Sequence, residues 1–483
     1  MAATDSSAAV PDRSEAGLRL ATADGRWAVA VTVLGSSMVF LDATVVNIAL
    51  PAIGRDLDAS VASLQWTVNS YLLALAALII LGGSFGDRFG RRRVFLIGTI
   101  WFTGASALCG LAPSDEALIA ARVLQGVGGA LLTPGSLAII EASFAHVDRG
   151  RAIGLWSGLA GVSTAAGPLV GGYLIDAVSW RAVFYLNLPI GAFVAATAMR
   201  RLPETFGNRA RRIDVAGASL VAIGLAGTSL AMTEAPELGV GSAAVVVSGS
   251  IGTLALITFV LVERRVTEPM LPLGIFRSRP FAAANLVTFV VYAALAGVFF
   301  FLGVFLQISL RYSPLEAGMA GVPVTALLLV LSARAGALAQ RIGARPLLTG
   351  GALVMALAML MMRSIEPGDD YLAGVLPSIA LFGLGLAAIV APVTATALSS
   401  APVEHAGLAS AVNNAVSRAG QLIAIAILPA VAGLAGSEYA NPAALTDAFH
   451  TAMIATAILA LIGGAIAWTM IGREVLLIGP PAE

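Results

Sequence analysis

Fourteen apolar runs of about twenty residues divide this chain, and that spacing restricts its fold more than any other feature. They lie near 27–49, 65–86, 94–112, 117–140, 152–176, 182–200, 213–233, 242–262, 281–307, 317–340, 346–363, 371–396, 406–433 and 449–471. A helix rises about 1.5 Å per residue, so roughly 20 apolar residues cross the hydrocarbon of a bilayer. Of the 483 residues, 58% are hydrophobic and 12% are charged. A soluble chain carries roughly 25% charged residues. The expected fold class is an all-α polytopic membrane protein.

The breaks between runs carry the orientation. All basic residues are arginine, and with the N-terminus in the cytoplasm the inner loops hold the clusters at 88–93, 149–151, 200–212 and 264–279. The outer loops keep only Arg55, Arg181, Arg311 and Arg363. Positive loops stay in the cytoplasm, so both termini are expected there and the chain in the cytoplasmic membrane. Residues 1–26 are polar and lack the apolar core of a signal peptide, which reads as a disordered cytoplasmic tail. Zero net charge and no basic stripe argue against nucleic acid as a partner. Cys109 stands alone, so no intramolecular disulfide forms. His146, His405 and His450 are far apart, and no metal-ligand spacing appears. The expected partners are the lipid bilayer, protons and a small amphiphilic molecule; no cofactor is expected beyond a proton gradient, and the chain is expected to be a monomer.

The chain also repeats itself. "GSFGDRFGRRR" begins at Gly83 and "GALAQRIGARP" at Gly336; "GLWSGLAGVSTAAGP" begins at Gly154 and "GLASAVNNAVSRAGQ" at Gly407. The offsets agree, since 336 − 83 = 253 and 407 − 154 = 253. A parallel repeat of six helices is a known transporter plan, with the site at the midplane between the halves. The expected organisation is a tail at 1–26, a six-helix bundle at 27–200, a linker with two inserted helices at 201–280, a second bundle at 281–473 and a tail at 474–483.

Four stretches then resemble one family. "LDATVVNIALP", "GGSFGDRFGRRR", "RVLQGVGGALLTP" and "AAGPLVGG" follow one another as in the fourteen-helix drug:proton antiporters of the major facilitator superfamily, and "WRAVFYLNLPIG" is similar too. The resemblance spans Trp27 to about Arg473. It implies multidrug efflux against inward proton flow and no enzymatic activity. Same-fold export of a lipid, siderophore or metabolite, or import, stays open. An intramembrane enzyme is disfavoured because no reactive constellation appears, and a sensor because no signalling domain does.

Site candidates follow. Asp42 lies inside an apolar run, where an acid is costly and usually faces a cavity. Counting residues puts it at the depth of Arg122, so Asp42 is the candidate proton carrier and Arg122 its tuning partner. Glu141 is a third candidate for coupling, against a reading in which it snorkels to the cytoplasmic surface. Gly83, Gly86, Asp87, Arg88, Gly90 and Arg91 form a candidate gate, with Asp87 facing the helix that starts near His405. In the resembled antiporter motif, Gly167, Pro168, Gly171 and Gly172 make a kinked, small-faced seam. Asn69, Gln125, Asn413, Asn414 and Gln421 are candidate cargo-cavity amides, with Tyr71, Trp156 and Tyr292 among the candidate aromatics. The second half has no mid-span acid, so charge chemistry is expected in the first half.

Overall fold

The computed structural model describes residues 17–207, 213–401, 406–436 and 438–477. Most of the expected N-terminal tail and the end of the C-terminal one lie outside these. The first bundle comprises α1 (Ala23–Leu57), α2 (Val61–Phe89), α3 (Arg91–Leu111), α4 (Asp115–Ser143), α5 (His146–Ala177) and the pair α6 (Arg181–Tyr185) and α7 (Asn187–Arg201). Then come α8 (Val215–Leu238) and α9 (Ala243–Glu263). The second bundle comprises α10 (Arg279–Ile308), α11 (Pro314–Ala320) with α12 (Val322–Ile342), α13 (Ala344–Met362), α14 (Leu376–Ser399), α15 (Ala406–Val431) and α16 (Pro442–Met470). Thirteen of these spans are long and apolar enough to cross a membrane, counting α6–α7 and α11–α12 as one each. The 32-residue α5 is long enough for the expected fourteenth.

Local chemistry sets the starts. Thr22, Ser60, Ser114, Ser242 and Ser313 each accept a hydrogen bond from the N–H three residues on, opening α1, α2, α4, α9 and α11. The Thr22 cap starts α1 at Ala23, four residues before the apolar run, because a polar first turn needs no hydrocarbon. Upstream, Leu18 N–H bonds Ser143 O at 2.7 Å, so this part of the tail is tied to the α4–α5 connection.

The repeat is visible in both turns and packing. Gly90 (φ 110) and Gly343 (φ 86), 253 residues apart, each take positive φ where one helix ends and the next begins. In the first bundle α4 packs on α2 and α3, and α5 on α1. In the second, α14 packs on α12 and α13, and α15 on α10. The inserted α8 and α9 pack on each other, and α8 touches α2 and α15, one helix from each bundle.

The described chain ends, the α2–α3 turn and the α12–α13 turn share one end of the molecule, here the termini end. The bundles meet toward the other end. There Gln65 Nε2 donates to Ile425 O (2.6 Å) and Ala426 O (3.1 Å), and Gln307 Nε2 to Ile48 O (2.9 Å). Val61 N–H donates to Gly436 O at 2.7 Å and Leu315 N–H to Asp176 Oδ2 at 2.9 Å. The α12 helix is the least enclosed of these spans, with 11% of its apolar window buried. The structure is thus sealed at the far end.

Candidate coupling and cargo site

Asp42 is 3% exposed on α1, and the fold supplies it with two donors from α4. Arg122 NH1 donates to its Oδ2 at 2.5 Å and Gln125 Nε2 to its Oδ1 at 2.8 Å. Arg122 and Gln125 share one face of α4 because they are three residues apart, and NH1 also reaches Gln125 Oε1 at 2.6 Å. Arg122, 1% exposed, is further held by Thr67 O on α2 (3.0 Å) and by the Tyr71 ring, 4.3 Å from its Cζ. Gln125 Nε2 and Asn187 Nδ2 both donate to Ser106 Oγ, at 2.7 and 2.9 Å. A carboxylate survives here because an ion pair and an amide satisfy it. Removing one partner of such a buried pair costs about 3–5 kcal/mol. Arginine does not deprotonate in a protein, so of the two ions only Asp42 can take up a proton.

The other charged candidates sit elsewhere. Glu141 is exposed, two residues from the end of α4, beside the charges of Arg91 and Arg149. It is 19 residues from Arg122, roughly 28 Å along the helix, so the structure separates it from Asp42. Asp87 Oδ1 accepts from Arg91 Nε (3.0 Å) and NH2 (2.8 Å) within the first bundle. Its expected partner, the start of the helix near His405, lies outside the described residues, which resume at Ala406. Gly90 and the N–H of Arg92 meet Glu204, an acid that sequence reading passed over. Gly83 and Gly86 line the last turns of α2, with Arg88 stacked on Phe89.

The small face of α5 is a seam on two sides. A Cβ at Gly167 or Gly171 would strike Thr44 or Val45 of α1. One at Gly172 would strike the backbone of Pro314 and Leu315, and Gly318 lies against Pro168 O. These residues therefore join α5 to α1 and to the other bundle at the sealed end.

Residues 32–425 match the family described as the Major Facilitator Superfamily. The chain belongs to that superfamily. It is 38% identical over 459 residues to the puromycin resistance protein pur8 of Streptomyces alboniger, covering 92% of this chain and 91% of the relative. It is 37% identical over 401 residues to the multidrug resistance protein Stp of Mycobacterium tuberculosis, covering 83% and 74%. Its fold is similar to a bacterial homologue of the human lysosomal transporter Spinster in an inward-facing, occupied conformation, at TM-score 0.67 and 17% identity over 94% of this chain and 97% of that one.

In this superfamily member the amides divide between two jobs. Gln125 and Asn69 are both fully buried, so neither lines an open cavity in this state. Gln125 belongs to the Asp42 network instead. Asn413 is 6% exposed and donates to Asn285 Oδ1 (3.3 Å) and Thr288 Oγ1 (2.9 Å), joining α15 to α10. Asn414 is exposed and Gln421 half-buried, so these two remain on an accessible face of α15. Arg418 lies between them on that face, four and three residues away; the second half has no mid-span acid, as expected, but this base qualifies the expectation that charge chemistry is concentrated in the first half. Its signal was present: an arginine well inside an apolar run is as costly as an aspartate there. Arg334, also inside a run, is exposed on α12 eight residues from its end at Ile342.

Proposed function

We propose that this chain exports small amphiphilic compounds across the cytoplasmic membrane in exchange for protons, by alternating access between its two bundles. The observation that carries this reading is the buried Asp42–Arg122–Gln125 network, placed centrally in a fold sealed at one end. With Asp42 charged, the pair is neutral and locked. A proton on Asp42 cancels the attraction for Arg122, so the bonds linking α1, α2 and α4 rearrange. That couples proton arrival to helix movement. Resistance names among the relatives favour efflux over import. The termini end faces the cytoplasm in this reading, in keeping with its arginine-rich loops. The chain itself supplies the chemistry and needs no cofactor.

The test is a panel of amphiphiles added to everted vesicles carrying a pH-sensitive dye. Compounds that are exported should release protons from the vesicle lumen in the wild type. Transport that proceeds with no proton movement for any compound would sink the coupling. Cysteine labelling from each side of intact cells fixes the orientation: residues in the α2–α3 and α12–α13 turns should react only from the cytoplasm.

A further inference from the structure

Among the described residues, Arg418 is a central charge with no counter-ion on the chain. It lies 12 residues from one end of α15 and 13 from the other (418 − 406 and 431 − 418), about 18 Å from each. Its Nε–H is buried with no hydrogen-bond partner. The described ion pairs all join other residues. Gln65 on α2 bonds Ile425 on α15, and the two helices run in opposite directions, so Arg418, seven residues before Ile425, lies level with Tyr71, six residues after Gln65. Tyr71 is the ring against Arg122, so Arg418 stands opposite the Asp42 network, across the junction of the bundles.

The central charges do not cancel. Asp42 and Arg122 neutralise each other, and both oxygens of Asp42 are already occupied. Arg418 leaves one positive charge over, and a guanidinium cannot shed its proton. A fixed cation in the middle of a membrane-spanning helix is costly without an anion, and among the described residues no acid pairs with it. The missing anion has to arrive and leave. A guanidinium matches a carboxylate or sulfonate with two parallel hydrogen bonds. Asn414, Gln421 and Tyr292 add neutral hydrogen-bonding groups around it, and none of them would repel an anion.

We propose that the cargo site takes organic anions, an apolar body bearing one carboxylate or sulfonate, and that Arg418 binds the anionic group. This rests on the export reading for the claim that the bound molecule is cargo. Three probes share one pyrene body: pyrenebutanoate, uncharged pyrenebutanol and cationic pyrenebutyl-trimethylammonium. Binding to the full chain in nanodiscs is read by energy transfer from tryptophan, with empty nanodiscs as the blank.

The wild type should bind the anion at least about 10-fold more tightly than either other probe. Arg418→Gln should lose about that factor for the anion and leave pyrenebutanol within about 2-fold, which also shows that the variant is folded. Arg418→Lys should fall between the wild type and Arg418→Gln for the anion, since it retains the charge but not the paired hydrogen bonds. Equal binding of all three probes by the wild type overturns the proposal. So does an Arg418→Gln variant that holds the anion unchanged or loses all three probes alike. Transport in reconstituted vesicles separates the two readings. Proton-linked movement with no preference for the anion removes this inference and keeps export. Arg418-dependent binding with no probe moved removes export and keeps the anion site.

Discussion

The two bundles share a packing plan but hold charge differently. In the first, the central ions are satisfied on the chain: Asp42, Arg122, Gln125, Ser106 and Asn187 form one buried network. In the second, α10 has no charge after Arg279, and among the described residues no ion pair includes Arg418. At the 253-residue offset Arg418 corresponds to Ala165, and Asp87 to Gln340. Duplication preserved the glycines that shape turns and seams, while the ionisable groups diverged. A closed network suits a proton that must be held and released. An open cation suits a ligand supplied from outside. On the reading proposed above, the proton belongs to one bundle and the cargo charge to the other.

The largest test of that division is Asp42→Asn. Proton release on substrate addition should fall to background in everted vesicles, at wild-type protein level in the membrane. Proton movement at the wild-type rate would mean that the first bundle is not the proton-carrying half. A sharper comparison pairs two interior amides. Gln125→Leu strips a donor from Asp42 and should destabilise the protein by about 1–3 kcal/mol. Asn413→Leu breaks the α10–α15 bonds and should cost a similar amount. Only Gln125→Leu should also slow proton-linked transport; equal slowing in both would erase the distinction. The smallest expected effect concerns the termini end. Asp87→Asn should weaken the state closed there by about 0.3–1 kcal/mol, up to about 2 if the contact is partly buried. Cysteine crosslinks across that end would then form several-fold less often, whereas Gln340→Leu should leave them unchanged.

The spans were legible because blocks of apolar residues are a length measurement in disguise. The duplication was legible because Gly90 and Gly343 must both take positive φ, so their spacing persists. Counting residues also put Asp42 and Arg122 at one depth, and the structure joins them. What the chain could not reveal was facing. An amide inside an apolar run signals an unmet hydrogen bond, without saying whether a neighbouring helix or a cavity meets it. Asn413 and Asn414 are adjacent, yet one binds α10 and the other is exposed. Arg418 was readable in principle, but a search for acids in the second half passes over a base.

The bare charge of Arg418 has an electrical consequence. Suppose Asp42 carries one proton inward for each monoanion that leaves from Arg418. Both steps move charge in the same sense, so two elementary charges cross per cycle. Each is worth about 2.3 kcal/mol per 100 mV, giving about 4.6 kcal/mol per cycle. That corresponds to a concentration ratio on the order of a thousandfold with no pH gradient at all. A monocation exchanged for the same proton would move no net charge and draw nothing from the voltage. One arginine on α15 would therefore decide whether membrane potential powers this transporter.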